Sequence, residues 1–555
     1  MNQKYHFWLI LPLTNSQMIK NTLILLFILL SYSPQGLFAQ AGNMLEIQQA
    51  EVLLGARGFE RLIGDVKMKH QNSLIYCDSA HFYRAENMAK LFGNVRIIDQ
   101  KDPVTTTSRY AEYDGNTRVA KLRNKVVFKN ESTTLYTDFL DYNRATGIAN
   151  YFNDGKVVDS TNVLTSENGE YETALEKITF TDKVDLVNPD YTLKTDYLIY
   201  RTIPKTAETI SITNIISKDG NKLNAQKGSF YDTENKIFTF YEGDAESETS
   251  RVSAETLYYD EGKNYYEGKV NVSVYNKERE VEIFGEEGKY WEERKYSEVY
   301  GNALVRKYFE SDTLYMIADT LISQDHELAE QRHLLAFNKV QLMKADLYGV
   351  ADSMAYIYAD STIHLYQDPV LWNNKSQITA DSIHFVIANE NIETAFLKQK
   401  AFVITKDTLN NFNQIKGRRM TGNFLDGKMS KLDVEGNGES LYFDLLNDST
   451  LRGVNKLLCA RILMYFTDGE ISKINHLIKP EGSFTPPHMM KEELKKLEGF
   501  VWREEEKPSM EIINAWRKPK ERDPGRFDFF NEPNVVIPAP TDEEIQKALL
   551  EKQKK

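Results

Sequence analysis

The sequence predicts an all-β fold stacked from a short unit, and three observations lead there. The first is a repeat. Around Asp381, apolar or small residues stand at −3 (Ile378), −1 (Ala380), +2 (Ile383) and +4 (Phe385). The same spelling surrounds Asp78, Asp138, Asp196, Glu255 and Glu286, and weaker copies centre on Arg109, Glu167, Gln226, Asp319, Asp352, Arg418 and Arg461. Ten of the twelve steps between these thirteen centres measure 29 to 33 residues, a spacing typical of repeat architectures. The second is parity. Apolar residues two apart mean a strand with one buried face, yet −1 to +2 is a step of three. A flat strand would then expose half its apolar set, whereas a bulge or corner at the central residue keeps both halves buried. The third is composition: 31 Tyr and 28 Phe favour strands.

In chain order, residues 1–40 read as a signal peptide. Lys20 precedes the apolar run Leu23 to Leu30, and Leu37-Phe38-Ala39 offers a small-residue cleavage site before Gln40. Met18 is a candidate start, and an uncleaved anchor is the competing reading of the apolar run, which is short for a bilayer span. Residues 44–66 form a leading repeat, with Ala50-Glu51-Val52-Leu53 echoing the unit. The repeats then run to residue 478. A second word recurs among them: Gly64-Asp65-Val66, Gly93-Asn94-Val95, Gly268-Lys269-Val270, Gly301-Asn302-Ala303 and Asn338-Lys339-Val340. Gly and Asn tolerate left-handed backbone, so these words mark turns or bulges entering a strand. A third word, Asp114-Gly115, Asp232 to Asn235, Asp260 to Gly262 and Asp468-Gly469, signals hairpins. We expect about three short strands per repeat and an elongated stack on the order of 100 Å, at about 4.8 Å per strand. From residue 479 to 555 the chain is charged and Pro-punctuated, with short helices expected at His488–Glu498 and Asp542–Lys552, the latter capped by Thr541 and Glu544. Trp502, Trp516 and Phe527-Asp528-Phe529-Phe530 are candidates to pack on the last repeats or bind a partner.

Several function classes are excluded. The net charge is −13 with both signs mixed, which is not the basic stripe of a nucleic-acid binder. Cys77 and Cys459 are the only cysteines and fill small packing positions, so neither a disulfide framework nor a zinc site is supported. No phosphate-binding loop, nucleophile elbow or zincin motif occurs. Paired carboxylates for glycoside chemistry are also unsupported, because a catalytic pair occurs once and these acids recur at most repeats. A parallel β-helix polysaccharide enzyme would need one singular acidic or basic repeat. His364 and His384 lack the converging partners that a metal needs. Asn130-Glu131-Ser132 and Asn271-Val272-Ser273 match a glycosylation pattern that arises readily by chance. We therefore expect no enzyme activity, cofactor or metal.

The buried positions alternate large aliphatics with Ala254, Gly285, Ala318, Ala351 and Ala380. Small residues weaken a strand interior unless something fills the space or backbones must approach. One filler is an acyl chain; the other reading is relief of crowding at the corner. Periodicity leaves both open.

Leu91-Phe92-Gly93-Asn94-Val95 and Tyr76-Cys77-Asp78-Ser79-Ala80, supported by Tyr300-Gly301-Asn302-Ala303 and Thr379-Ala380-Asp381-Ser382, resemble the LptA/OstA family of periplasmic lipopolysaccharide transport. The likeness is greatest to its long, Bacteroidota-type OstA-like members, and it extends from residue 44 to about residue 470. It implies a two-sheet β-jelly roll folded like a taco, with a short α-helical or irregular C-terminal tail. The implied function is a non-enzymatic scaffold that holds lipopolysaccharide or a similar amphiphile by its acyl chains in an apolar groove. The implied location is the periplasm, in association with the outer membrane, with other envelope transport components joined by edge-strand pairing. The groove is then assigned to Leu140, Leu198, Val252, Leu257, Ile283, Leu321, Met354, Ile378, Ile383 and Phe385. The strand corners are assigned to Asp78, Asp138, Asp196, Glu255, Glu286, Asp319, Asp352 and Asp381. The chain departs from the family in length, with about three modules' worth of repeats. The alternative function is a structural β-solenoid with a dry core that organises envelope proteins.

Overall fold

The structure, a computed structural model, describes residues 43–516 except 101–103, 131–132, 310–311, 346, 374, 389–390, 426–427, 447–448 and 468–469. The export segment, the hairpin word at 468–469, the aromatic run at 527–530 and the helix expected at 542–552 lie outside the described residues, as does the side chain of Trp516. The fold is all-β, and the described strand pairs are antiparallel. The chain divides into two compact units: residues up to 159 with 170–173, and residues 160–169 with 174 onward.

In the first unit, six strands form a meander: β3 (Phe59–His70), β4 (Ser73–Tyr83), β5 (Met88–Asp99), β6 (Thr105–Asp114), β7 (Val119–Lys129) and β8 (Thr134–Asn143). Each breaks register at its middle, and pairing resumes on the far side. On β4 the break falls between Tyr76 and Ser79, and on β7 between Arg123 and Val126. Every strand thus has two arms. Arm A runs from the corner to the ends at His70, Ser73, Asp99, Thr105, Lys129 and Thr134. Arm B runs to Phe59, Tyr83, Met88, Asp114, Val119 and Asn143. Two short strands continue the arms of β3, namely β1 (Glu46–Gln49) on arm A and β2 (Val52–Ala56) on arm B. On β4 the buried apolar residues are Ile75 and Cys77 on arm A, then Ala80 and Phe82 on arm B, which is the parity switch written in the sequence.

The corner has two faces on alternating strands. β3, β5 and β7 carry left-handed residues there: Gly64 and Asp65, Gly93, and Asn124 with Lys125 at φ 63° and 53°. β4 and β8 carry the acid. Left-handed backbone at the crease leaves N–H groups without ladder partners and forms a concavity suited to an anion. Asp138 accepts the Lys125 N–H at 2.8 Å, and Asp78 accepts the Asn94 N–H at 3.2 Å together with the Asn94 amide. The Gly-Asn word and the acidic word are therefore one corner seen on neighbouring strands. The expected three short strands per repeat is corrected to two long bent ones, because the bulge lets pairing continue on both sides.

The second unit repeats this plan. Register breaks fall at Asp196, Glu255, Glu286, Asp319 and Asp352. Asp381 sits between the strands Ser376–Thr379 and Ser382–Ala388. Left-handed pairs face several of these acids, and their second residues supply partners: Asn271 donates to Glu255 at 2.9 Å, and Lys400 lies 3.1 Å from Asp381. Beyond the strand Glu481–Thr485, the helix expected at 488–498 is replaced by 3₁₀ turns at Pro487–Met489 and Glu492–Lys495, followed by extended chain. Pro486 and Pro487 disfavour a helix start before them, and main-chain groups further on bond to the sheet. Among the described residues, an α-helix forms only at Met510–Trp516.

Replacing Asp138 with Ala should lower stability by about 1.5 kcal/mol, the low end for a hydrogen bond to a charged group. Urea unfolding should show a lower midpoint at unchanged slope, with Asp138→Asn recovering part of the loss. An unshifted midpoint in the Ala variant contradicts the anion-in-a-concavity account.

Candidate functional site

The apolar interior between the arms is the feature on which any ligand reading must rest. In the first unit it is sealed. Leu62, Met68, Ile75, Ala80, Phe82, Leu91, Ala111, Leu122 and Leu140 have no solvent exposure. The free ends of the two arms are also tied together. His70, ending arm A of β3, sits 2.7 Å from the hydroxyl of Tyr113 on arm B of β6, and its other ring nitrogen lies 3.1 Å from the Asn43 carbonyl. Asn87, beside arm B of β5, donates to the same carbonyl and accepts the Leu45 N–H at 2.8 Å. Arg144 and Asp99 form an ion pair across the mouth with side chains only 9% and 6% exposed. Phe128 meets Tyr142 edge-on at 5.5 Å.

The second unit holds a larger interior. One buried cluster runs from Ala303 to Met464 and includes Leu321, Met354, Ile383 and Phe385 from the expected groove, with Ile283 and Ile378 packed on it half-buried. A second joins Leu257 to Tyr231 and Phe240, with Val252 at its fringe. Leu198 is also buried, at 1% exposure, and Leu140 belongs to the sealed first unit. Around the first cluster lies a fringe of half-buried aliphatics from both arms, among them Val305, Leu342, Ile363 and Ile392. At the crease itself there is no spare room. A Cβ on Gly285 would sit 2.2 Å from a Val299 methyl, and one on Gly268 3.1 Å from a Val272 methyl. At these positions glycine serves close approach, the crowding-relief reading.

An apolar outer face escaped the sequence reading. On arm A of the second unit, strands are apolar on both sides: Ala401 and Val403 face the interior, while Phe402 and Ile404 join Leu441, Phe443, Val454 and Leu497 in a separate cluster. Phe284, Leu304, Ile317 and Met343 gather likewise around Ile513. The tail covers this face. Two fully buried glutamines clamp its main chain. Gln414 donates to the Lys495 carbonyl at 2.8 Å and accepts the Leu497 N–H at 2.7 Å. Gln377 does the same to Val501 and Arg503, each at 2.7 Å. Each amide thus pairs like a peptide group of a neighbouring strand. Unbroken runs such as Ala401-Phe402-Val403-Ile404 were the available signal.

Neither cysteine is a nucleophile candidate: both are buried, and burial pushes the Cys77 thiol up to about 12. Among the described residues, no group of three or more His, Cys, Asp or Glu is placed to hold a metal ion. His364 and His384 are cross-strand neighbours with rings 5.2 Å apart, and His384 also stacks on Phe396 at 4.6 Å. Burial first, then the charges of Lys398 and His364, lower the His384 pKa to about 4.

Residues 49–196 match the family model of the OstA-like protein. This OstA-like stretch contains the words Tyr76–Ala80 and Leu91–Val95 and ends on the corner acid Asp196; the supporting words at 300–303 and 379–382 lie beyond it. Among solved structures, the chain is similar to the crystal structure of LptH, the LptA homologous periplasmic component of the conserved lipopolysaccharide transport device from Pseudomonas aeruginosa. The identity is 15%, the match covers 19% of this chain and 81% of that one, and the TM-score is 0.19. No curated protein matches. Geometrically, the OstA-like stretch is where the corners are most regular, with Asp78 and Asp138 each bonding a main-chain N–H of an adjacent strand's bulge.

Two outcomes follow. Gln414→Leu strands the Lys495 carbonyl and the Leu497 N–H, at a cost of about 1–3 kcal/mol; hydrogen exchange should show residues 490–503 losing protection while the strands keep theirs. For His384, the unfolded chain takes up a proton near pH 6.5 and the folded one only near pH 4, so its contribution to stability is full above pH 6.5 and declines as pH falls between those values. His384→Phe should flatten the dependence of Tm on pH across that window, and an unchanged slope contradicts the assignment.

Proposed function

We propose that this protein is an exported, non-enzymatic scaffold that binds lipopolysaccharide or a similar amphiphile and passes it toward the outer membrane. Its acyl chains would lie against the apolar interior of the second unit. The observation that carries this reading is the half-buried aliphatic fringe of that interior. Ile283, Ile378, Val305 and Ile363 come from different strands and both arms, around a cluster already buried. A chain laid along them gains about 0.8 kcal/mol per methylene removed from water. The OstA-like match over residues 49–196 supports it, as does the resemblance of the repeat words. Residues 1–40 would direct export to the periplasm and be removed. Open sheet edges, such as the strand Val52–Ala56 with Val52, Leu53 and Leu54 exposed, would pair with other envelope components.

Of the residues assigned to the groove, those of the second unit are retained in this proposal. Leu140 lies in the clasped first unit, where a chain enters only if the Asp99–Arg144 and His70–Tyr113 ties open. That clasp favours a second reading for the first unit alone: a dry structural module.

The test is site-specific photo-crosslinking of the purified full chain with lipopolysaccharide. A photoreactive residue at Ile378 or Ile283 should give a lipid adduct, and one at Leu140 should give none. Absence of any adduct, while an LptA-type protein forms one in the same preparation, removes the acyl-binding reading and leaves the structural scaffold.

A further inference from the structure

The charges on the two arms of the first unit differ in a way that points to a ligand. On the outer face of arm B, cations are mostly balanced: Arg84 pairs with Glu60, Lys90 with Glu112 and Arg123 with Asp141, while Arg61 and Lys121 have no ion-pair partner among the described residues. On the outer face of arm A, near the corner, they are not. Lys67, Tyr76, Arg96 and Thr107 are successive cross-strand neighbours in one row on β3, β4, β5 and β6. Lys67 and Arg96 flank the Tyr76 ring, at 5.7 and 4.8 Å from its centre. Above the row stands the crease, with Arg109 held by the Asn94 side-chain oxygen at 3.1 Å, and Lys125. Row and crease line an open cleft of about 710 Å³. Among the described residues, none of these four cations forms an ion pair with a carboxylate. The carboxylates on the cleft are Asp65 and Asp78, and Asp78 is already engaged by the Asn94 N–H and amide.

We propose that this cleft binds a phosphorylated ligand through two pairs of cations, Lys67 with Arg96 on the floor and Arg109 with Lys125 on the lip. The donor set is two ammonium and two guanidinium groups with the Thr107 hydroxyl, and its four cations outnumber the two carboxylates. An acceptor-rich partner with no protons to give is the chemical complement, and phosphate is such a group, met bidentately by guanidinium and as a point charge by ammonium. Two separated cation pairs suit two phosphates rather than one. A protein of net charge −13 does not gather anions by its overall field, so attraction here is local and screened over a Debye length of about 8 Å at physiological salt. The site stands on the first unit's outer face and does not depend on acyl binding by the second; either can fail alone.

The full chain is titrated with pyrophosphate by calorimetry, and in parallel with neutral vesicles carrying a phosphomonoester lipid. Saturable binding of pyrophosphate that weakens about tenfold in Lys67→Gln/Arg96→Gln, and not in the arm B control Lys90→Gln, supports a site for soluble phosphates. Vesicle binding with the same variant pattern but no pyrophosphate binding supports a lipid headgroup as the source. Binding of neither probe, or equal loss in the arm B control, overturns the proposal. Thermal unfolding of each variant separates loss of the site from loss of the fold.

Discussion

A strand that buries one face on both sides of a crease must insert residues at the crease, and those residues have main-chain groups with nowhere to pair. Here the insertion is mostly a pair of left-handed residues, as at Asn124 and Lys125 or Val270 and Asn271, and where the corner is most regular an adjacent strand supplies a carboxylate to the N–H groups they expose. These amides are exposed, so the carboxylate contributes the modest gain of a charge-assisted hydrogen bond over water, and by that gain the acid and the bulge support each other. Val270 shows how strongly the position is imposed, since a β-branched residue at φ 60° is tolerated only when surroundings demand it.

From that crease follows the interior. Two arms at an angle bring apolar faces together, and near the vertex the space is so narrow that glycine and alanine are needed, as Gly285 beneath Val299 shows. Beyond the vertex lie the free ends of the arms. What happens there separates the units. In the first, a buried ion pair, a His–Tyr contact and the Asn43–Leu45 segment join the arms. In the second, half-buried aliphatics remain along the fringe of the main cluster. A buried ion pair adds little net stability over an apolar substitute, but breaking it is expensive, so the first unit is held shut by contacts that resist partial opening.

The tail adds a separate constraint. Arm A of the second unit is apolar on both faces, and without the segment around Leu497 and Ile513 its outer face would be an exposed patch of the kind that drives association. Gln377 and Gln414 hold that segment by its main chain, which fixes its path without specifying its side chains.

The chain's own letters carried the strand class and the places of its acidic creases, because side-chain alternation and its reversal are local properties. Asp78, Asp138, Asp196, Glu255, Glu286, Asp319, Asp352 and Asp381 all lie where pairing breaks or passes between strands. The count of strands per repeat was misread because a mid-strand bulge and a turn use the same residues, Gly and Asn, and only the pairing beyond them tells which is present. The clasp between His70 and Tyr113 joins residues 43 positions apart, and the clamp from Gln414 reaches 81 positions to Lys495. Such contacts leave no periodic trace, since each is made once, by arms and tail that meet only after the chain has folded. Tertiary structure alone therefore decided which interior is closed, which face the tail covers and where unbalanced cations gather.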